Sequence, residues 1–506
     1  MSTAESPPAR PARFTLDPAF TVGEVDPRLF GSFVEHLGRC VYTGVFEPGH
    51  PAADERGLRT DVLDLVRELG VTVIRYPGGN FVSGYRWEDG VGPAGKRPRR
   101  LDPAWRSVET NRFGLSEYAD FVRKAGAEPM LAVNLGTRGV QEARELLEYA
   151  NHPGGTELSD LRAAHGDREP YGIRLWCLGN EMDGPWQTGH KTAAEYGRLA
   201  AETARAMRQI DGSLELVACG SSGRAMETFA AWEATVLAET YDLVDHISLH
   251  AYYEETDGDR DSFLASAVDM ESFIEDTVAT CDHVGARLKS AKRINLSFDE
   301  WNVWYQRRHH ARTPPDWEEA PRLLEDDYSV TDAVVVGSLL IALLRHADRV
   351  AVACQAQLVN VIAPIMTEPG GPAWRQTTFF PFAQASRYGR GRVLDVRAQS
   401  PAYTTARYGE VPLLHATAVR DGAGAVTVFA VNRGQHDALP LEADVRALGL
   451  ERVVEHSVLA DADPEARNTL AEPGRVAPHP GEGTRLADGV LRAVLEPMSW
   501  NVIRLA

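Results

Sequence analysis

Apolar residues follow two different patterns along the chain, and the change comes near residue 388. Between about residues 24 and 387, short apolar runs alternate with longer segments in which apolar residues recur every three or four positions. Short apolar runs are typical of buried strands, whereas the second spacing is typical of amphipathic helices. The runs that predict strands are 30–35, 71–76, 130–135, 173–179, 214–219, 246–251, 294–299 and 352–358. Eight strands that alternate with helices indicate a (β/α)8 barrel, the TIM-barrel fold.

The helical segments carry start and stop signals of their own. Apolar residues at helical spacing run from residue 58 to 69, and Gly70 then offers a left-handed C-terminal cap. Thr192 and Glu195 form the pattern of a capping box, which predicts a helix from there to Ile210. We interpret these apolar stripes as barrel core and not as parts of a binding site.

After residue 388 the pattern changes to short segments in which apolar and polar residues alternate. These segments are 413–419, 425–432, 453–459 and 490–505, and glycine, proline, aspartate and asparagine separate them. This texture predicts a β-sandwich. Residues 12–16 could add a strand to it, because the two ends of a chain often meet. We therefore expect an N-terminal segment at 1–23 that joins the sandwich, a catalytic barrel at 24–387 and the β-sandwich at 388–506.

Composition narrows the class of protein. The chain has 506 residues and a net charge of −19, from 53 basic and 72 acidic residues, so nucleic acid and anionic membranes are poor partners. The longest apolar stretch, 333–344, is too short to span a bilayer. The first residues lack the pattern of a secretory signal, and the five cysteines include no C-x-x-C pair. These features favour a cytoplasmic enzyme with reduced thiols.

Two glutamates are the strongest candidates for chemistry. Active sites of such barrels lie at the C-terminal ends of the strands, where Glu181 follows the fourth strand and Glu300 the seventh. Cleavage of a glycosidic bond needs one carboxyl group that donates a proton and one carboxylate that attacks or activates water. Arg75, at the end of the second strand, could keep one of them ionised. The alternative is a salt bridge that closes the barrel rim.

Aromatic residues near the strand ends also favour a carbohydrate cleft, since the C–H faces of sugars stack on aromatic rings. The four tryptophans concerned are Trp105, Trp186, Trp301 and Trp304. For any one of them, simple packing is the alternative interpretation.

Other signatures are absent or weak. The Gly78–Gly79 pair lacks the G-x-G-x-x-G pattern of a dinucleotide site, and no G-x-S-x-G nucleophile elbow occurs. His309 and His310 are adjacent, but no third ligand is placed by spacing. We therefore expect no cofactor and no metal.

At these motifs the sequence resembles the intracellular-type α-L-arabinofuranosidases of glycoside hydrolase family 51. The resemblance extends from about residue 28 to the C-terminus and is carried by stretches such as FGSFVEHLGRCVY, IRYPGGNF, LDPAWRSVETNRFG, WCLGNEMDGPWQ, SLHAYY, SFDEWNVWY, AQLVNVIAPI and EPMSWNVIRL. It implies an exo-acting retaining hydrolase of arabinofuranose-containing oligosaccharides, arabinan or arabinoxylan, built on a (β/α)8 barrel with a C-terminal jelly-roll sandwich. A homo-oligomer, a hexamer or a trimer, is also implied.

The resemblance also assigns roles residue by residue. Glu181 in G-N-E resembles the acid/base, and Glu300 in D-E-W resembles the nucleophile. Arg75 and His250 resemble residues that support the nucleophile. The positions that resemble substrate-binding residues are Glu35, Asn80, Asn180, Tyr252 and Gln357 around the furanose, and Trp105 and Trp304 near the leaving group.

Three other functions deserve comparison. An endo-glucanase or a xylan-active glycosidase could use the same barrel and the same acid pair, although the matching furanose positions favour exo action. A catalytically silent sugar-binding protein would lack one acid, and both are present. A lyase or isomerase with a Schiff-base lysine is disfavoured because no lysine ends any predicted strand.

Overall fold

The computed structural model describes residues 10–506, and its centre is a closed barrel of eight parallel strands. The prediction of a (β/α)8 barrel is confirmed, and each predicted strand overlaps an observed one. The barrel strands in chain order are Gly31–Phe33, Val73–Tyr76, Glu128–Ala132, Leu175–Leu178, Glu215–Ala218, His246–Tyr253, Asn295–Val303 and Val350–Gln355.

The sixth and seventh strands are longer than the sequence suggests. His246–Tyr253 and Asn295–Val303 pair in parallel as far as Tyr253 and Val303, so that Glu300 lies within its strand and not after it. The pairing shifts register between Ser248 and His250. Both predictions stop near the first polar or aromatic residues of the rim, whereas the parallel pairing continues through Tyr252 and Tyr253 and through Glu300 to Val303.

Helices separate the strands and cover the outside of the barrel. Gly70 adopts φ 77° and caps the first helix, and the Thr192–Glu195 capping box opens the helix that ends at Ile210, as predicted. The helices are Thr60–Leu69, Leu115–Ala125, Val140–Asn151, Glu157–Ala164, Ala193–Ile210, Ala231–Thr240, Arg260–Leu264, Ala267–Leu288, Gln306–His310, Val330–Arg345 and Phe379–Tyr388. Among residues 10–506, no helix is long and apolar enough to cross a bilayer.

Three short hairpins lie outside the barrel and outside the two sandwich sheets in the described residues. The one after the second barrel strand pairs Arg100–Asp102 with Ser107–Glu109 and carries Trp105 at its turn. Two further hairpins pair Ile365–Thr367 with Ala373–Arg375 and Ala402–Thr405 with Gly409–Pro412.

Two sheets form the C-terminal sandwich. The larger has the order Thr21–Glu24, Arg392–Leu394, Leu414–Arg420, Val426–Asn432, Ser499–Leu505, Val453–Leu459 and His479–Pro480; the smaller has the order Ala12–Thr15, Leu439–Asp444, Val490–Leu495 and Arg485–Ala487. The N-terminal strand Ala12–Thr15 pairs in parallel with Leu439–Asp444. Residues 1–9 of the expected N-terminal segment lie outside the described part of the chain. The segment 490–505, read as one stretch in the sequence, forms two strands in different sheets.

The sandwich packs directly on the barrel. Inward residues of both sheets form a separate apolar core, and the other face of the larger sheet joins the barrel core. The helix Val330–Arg345 lies at this junction, where a Cβ atom on Gly337 would come within 2.5 Å of the Trp500 ring. Only glycine allows so close an approach of the helix to the sheet.

An arginine clamp closes the bottom of the barrel, opposite the strand ends that carry the candidate site. Arg28 donates to Glu128 through Nε and Nη2 at 2.6 and 2.7 Å, and through Nη1 to Glu215 at 2.6 Å. The two glutamates begin the third and fifth barrel strands. A bidentate arginine that bridges two strands in this way stabilises the closed barrel.

Candidate active site

Glu181 and Glu300 lie beside each other at the C-terminal end of the barrel. One carboxylate oxygen of each, together with a ring nitrogen of His250, falls within 4.8 Å of the others. Glu181 follows the fourth strand in a left-handed conformation, with φ 43°, which is a costly backbone geometry for a residue with a side chain. The fold therefore holds this carboxylate in place at the expense of local strain.

Glu300 is buried and is held by two donors. Arg75 donates from Nη1 to Oε1 of Glu300 at 2.8 Å, and the hydroxyl of Tyr252 donates to Oε2 at 2.7 Å. Arg75 also donates from Nη2 to the side-chain oxygen of Asn180 at 2.6 Å. A guanidinium and a hydroxyl thus fix both oxygens of Glu300 in position, as a nucleophile requires.

Glu181 has a different pair of donors. His250 faces Oε1 of Glu181 from Nδ1 at 2.8 Å, and the indole N–H of Trp186 donates to Oε2 at 2.6 Å. Trp186 is about half exposed, with 52% of its surface accessible to solvent. Glu181 thus has one neighbour that reaches the solvent.

Asp299 lies behind both glutamates and links their supporting cations. Its carboxylate accepts from Nε2 of His250 at 3.0 Å and lies 3.7 Å from Nε of Arg75. Burial would raise the pKa of Asp299, but the charge of Arg75 and the contact with His250 hold it below its ordinary value. Asp299 is a buried anion that orients the two groups contacting the catalytic pair.

The charge state of His250 decides what this cluster can bind. Burial opposes the charged ring, but the negative charge of Glu300 and the contacts with Asp299 and Glu181 raise the pKa of His250 to about 10. The ring is then an imidazolium at neutral pH and donates from both nitrogens. Although Glu181, His250 and Glu300 are close enough to surround a metal ion, an imidazolium has no lone pair to offer one. The cluster suits proton transfer better than metal binding.

A third carboxyl group, that of Glu35, faces the same space. Its Oε1 accepts from the backbone N–H of Phe81 and from Nε1 of Trp105, each at 3.0 Å, and its Oε2 accepts from Nε2 of Gln357 at 2.9 Å. Burial and then the charge of Glu300 raise the pKa of Glu35 to about 8. A protonated Glu35 whose protein neighbours all donate to it has its own O–H free to donate to a ligand.

The space between these groups is kept open by a glycine. A Cβ atom on Gly79 would lie 3.1 Å from Oε1 of Glu300, 3.3 Å from Oε2 of Glu35 and 3.5 Å from Nδ2 of Asn180. The amide nitrogen of Asn180 and the amide oxygen of Gln357 are both buried without a hydrogen-bond partner in the described part of the chain. Unpaired buried polar atoms are costly, so this donor and this acceptor are available to the hydroxyl groups of a ligand.

Two predicted residues have looser connections to this cluster. The ring of Trp304 packs edge-to-face on Tyr252 with centroids 5.0 Å apart, and its indole nitrogen has no partner within residues 10–506. Asn80 begins the short 3-10 helix Asn80–Gly84 next to Gly79, and its side chain is half-buried. The remaining predicted residues are joined by direct contacts: Glu35, Arg75, Trp105, Asn180, Glu181, His250, Tyr252, Glu300 and Gln357.

Sequence reasoning left two contributors out of the site. Asp299 is the first residue of the D-E-W motif, and its position directly before Glu300 could have indicated that it lies near the active site. Trp186 was noted only as an aromatic surface. No periodicity identifies the donor role of its indole nitrogen, because that role depends on how the loop after the fourth strand folds.

Two family models match the chain. The α-L-arabinofuranosidase 1 domain matches residues 65–271, and the α-L-arabinofuranosidase C-terminal domain matches residues 299–499. Both matched ranges include residues of the cluster just described.

Individual relatives are similar over nearly the whole chain. An intracellular exo-α-(1→5)-L-arabinofuranosidase of Streptomyces lividans is 78% identical over 500 residues, which cover 98% of this chain and 76% of that protein. An exo-α-(1→6)-L-arabinofuranosidase of Bifidobacterium longum is 56% identical over 506 residues, with coverage of 98% and 97%. Among solved structures, a family 51 α-L-arabinofuranosidase from Bifidobacterium longum matches with a TM-score of 0.94 at 47% identity, covering 98% of this chain and all of that one.

Proposed function

Since the chain belongs to the α-L-arabinofuranosidases of glycoside hydrolase family 51, we propose that Glu300 and Glu181 carry out its exo-acting hydrolysis of terminal α-L-arabinofuranosyl residues by double displacement. The similar proteins bear names of exo-acting arabinofuranosidases, which favours this function over the endo-glucanase or xylan-active alternative.

The separation of the two carboxyl groups carries the proposal. Retaining glycosidases place them about 5–5.5 Å apart, whereas inverting enzymes leave about 6.5–9.5 Å for a water molecule. In this chain an oxygen of Glu181 lies within 4.8 Å of an oxygen of Glu300. Such a close approach of the two side chains is nearer to the retaining spacing than to the inverting one, and it supports retention.

The reaction follows from the donors around each carboxylate. Glu300 attacks the anomeric carbon and forms an ester bond to it, while the glycosidic C–O bond breaks and Glu181 gives its proton to the departing oxygen. Glu181, now ionised, takes a proton from water as the water oxygen attacks the same carbon and displaces Glu300. Two inversions leave the sugar with its original anomeric configuration.

The furanose lies, in this proposal, in the space beside Gly79. Asn180 offers a donor and Gln357 an acceptor, neither of which has a hydrogen-bond partner among residues 10–506, and Glu35 offers an O–H. Asn80 and Tyr252 complete the sugar site, and Trp105 and Trp304 border the leaving-group side. Arg75 and His250 act through the carboxylates that they contact.

Three finer features of the function also belong to the proposal. Relatives are named for α-(1→5) and for α-(1→6) linkages, and we favour short α-(1→5)-linked arabino-oligosaccharides as substrates because the relative with 78% identity bears that name. Several relatives are named intracellular, which supports a cytoplasmic location. A trimeric or hexameric assembly rests on the family resemblance, and light scattering of the purified protein would measure it.

A substrate panel tests the function directly. We expect hydrolysis of nitrophenyl α-L-arabinofuranoside and of arabino-oligosaccharides, with little action on nitrophenyl glucoside. Nuclear magnetic resonance of the first-formed arabinose should show the α anomer before it equilibrates. Initial release of the β anomer would contradict the double displacement, and release of internal fragments from a polymer would contradict exo action.

A further inference from the structure

The loop after the fourth barrel strand brings Trp186 onto the acid/base. The indole N–H lies 2.6 Å from Oε2 of Glu181, while Oε1 of the same carboxylate faces the ring of His250 at 2.8 Å. Both oxygens therefore contact a donor in the described structure. Trp186 is nevertheless half exposed, so displacement of its ring would not open the core.

Gly184 permits the indole to occupy this position. A Cβ atom at residue 184 would lie 2.5 Å from Cε2 and 2.9 Å from Nε1 of Trp186, which is closer than real Cβ atoms approach other atoms. The backbone N–H of Gly184 donates to the carbonyl of Glu181 at 2.9 Å and closes the turn that leads to the tryptophan. Glycine at this position thus keeps space for the ring beside Glu181.

The contact has a consequence for proton transfer. A hydrogen bond donated to a carboxylate favours its ionised form, but an acid catalyst must carry a proton. The protonated His250 ring donates to Oε1, so the proton that Glu181 delivers belongs on Oε2. That oxygen is the one that the indole N–H contacts.

We propose that Trp186 is a positioning residue for Glu181: its indole N–H binds Oε2 and must leave that oxygen before Glu181 takes up the proton for the leaving group. This inference rests on the proposed acid/base role of Glu181. The loop after the fourth strand would then set the balance between the protonated form of Glu181, used in the first step, and its ionised form, used in the second.

Other charged groups also face Glu181, and the substitutions at Trp186 and Gly184 described below leave these groups unchanged. His250 lies on the sixth strand, Glu300 on the seventh, and Asp183 on the same loop as Glu181. Burial raises the pKa of Asp183 to about 6, and its carboxylate accepts from the backbone N–H and the hydroxyl of Ser222 at 3.0 and 3.1 Å. No hydrogen bond joins any of these groups to Trp186 in the described part of the chain, so a change at the indole acts on Glu181 alone.

Two substitutions remove the contact by different routes. Trp186→Phe keeps an aromatic ring but loses the N–H, and Gly184→Ala keeps the tryptophan but fills the space of its ring. For both variants we expect the alkaline limb of kcat/KM against pH to move upward by about one pH unit, the size expected for one lost charge-assisted hydrogen bond. The acidic limb, which reports the nucleophile, should stay in place. α-(1→5)-Arabinobiose is the substrate, because its departing sugar needs protonation.

Trp186→Ala separates the hydrogen bond from the ring surface. If the N–H is what matters, the phenylalanine and alanine variants share the shifted limb, and the alanine variant differs only in KM. An alkaline limb that stays at the wild-type pH in both Trp186→Phe and Gly184→Ala would overturn the proposal. The proposal would also be overturned if Trp186→Phe had the pH profile of the wild type while Trp186→Ala had a raised KM, because the ring would then serve only as a contact surface for the substrate.

The acid/base assignment is checked separately. Glu181→Ala is assayed with added azide, an anionic nucleophile that attacks the glycosyl-enzyme in place of water and needs no base. If azide restores turnover of Glu181→Ala while the alkaline limb of kcat/KM against pH stays in place in the Trp186 variants, the proposed role of Trp186 is refuted and the acid/base role of Glu181 stands. If azide restores nothing, the assignment of Glu181 itself fails. Circular dichroism and thermal unfolding verify that the variants are folded.

Discussion

Replacement of Glu181 by alanine gives the sharpest test of the two catalytic roles. The substitution removes one carboxylate but leaves Glu300 with its own donors, Arg75 at 2.8 Å and Tyr252 at 2.7 Å. The nucleophile should therefore still attack. Only proton donation in the first step and proton abstraction in the second are lost, and each of these contributes about 10²–10⁴-fold to the rate of its step.

The magnitude should depend on the leaving group. Nitrophenolate departs without a proton, so the first step on nitrophenyl arabinofuranoside should fall by less than about tenfold, and a burst of nitrophenol should precede slow turnover. On arabinobiose, whose departing alkoxide needs a proton, kcat/KM should fall by the full 10²–10⁴-fold. Stopped-flow absorbance measures the burst, and steady-state sugar release measures the second quantity.

Azide gives an independent stereochemical readout. With Glu181→Ala, azide should attack the glycosyl-enzyme and yield the α-arabinofuranosyl azide, which nuclear magnetic resonance identifies. With Glu300→Ala, azide would replace the nucleophile and yield the β azide instead. Equal losses on good and poor leaving groups, or exchanged azide products, would refute the roles assigned here. Glu195→Ala, at an exposed helix cap, is a matched control that should leave all these rates unchanged.

Three further predictions concern the nucleophile, the barrel floor and the third carboxyl group. Tyr252→Phe removes the hydroxyl that donates to Glu300 at 2.7 Å and should lower kcat/KM about 10–100-fold, the value of a hydrogen bond to a charged group. The control, Tyr253→Phe, changes the next residue, whose hydroxyl contacts Asp269 outside the acid pair, and should alter kcat/KM less than about twofold. Equal losses in the two variants would contradict the role of the Tyr252 contact. Arg28→Ala breaks the clamp at the barrel floor and should lower the free energy of unfolding in urea by about 2 kcal/mol. Arg174→Ala loses only exposed contacts, to Glu215 at 3.8 Å and to the carbonyl of Ser213 at 3.2 Å, and should cost less than about 0.5 kcal/mol. Similar costs for the two variants would argue against the clamp. The pKa of Glu35 is raised from 4.5 to about 8, so between these pH values Glu35 is protonated in the folded state and ionised in the unfolded chain. The free energy of unfolding should therefore fall as pH rises from 4.5 to 8, by up to about 1.4 kcal/mol per pH unit. Glu35→Gln should reduce that slope, and an unchanged slope in urea titrations would refute the pKa shift.

The barrel could be predicted from the sequence because its strands are buried on both faces. Such strands are nearly continuous apolar runs, and helical spacing separates one run from the next. The sandwich was harder to divide, since 490–505 has the same alternation before and after the turn near Met498. That residue adopts φ 43°. Pro497 directly before it marks a turn, but a turn alone does not show that the next strand belongs to a different sheet.

The residues of the site could be predicted, but their connections could not. Strand ends place Glu181 and Glu300 at one rim, and a carboxylate at the end of an apolar run is unusual enough to be noticed. Which cation contacts which carboxylate depends on register. His250 pairs with Glu300 only because the sixth strand shifts register after Ser248, and no sequence pattern marks that shift.

The same electrostatic logic explains why Asp299 precedes the nucleophile. Arg75 and His250 are buried cations, and burial makes an unpaired cation costly. The two catalytic glutamates cannot both balance them, because Glu181 must be neutral for part of each cycle. Asp299, with its pKa held low between Arg75 and His250, supplies a negative charge that does not change during the reaction. With it in place, Glu181 can gain and lose a proton while both cations keep an anionic neighbour. Asp299→Asn would remove that constant charge, and we expect the pH range of activity to narrow on its alkaline side, because His250 would lose its proton at lower pH.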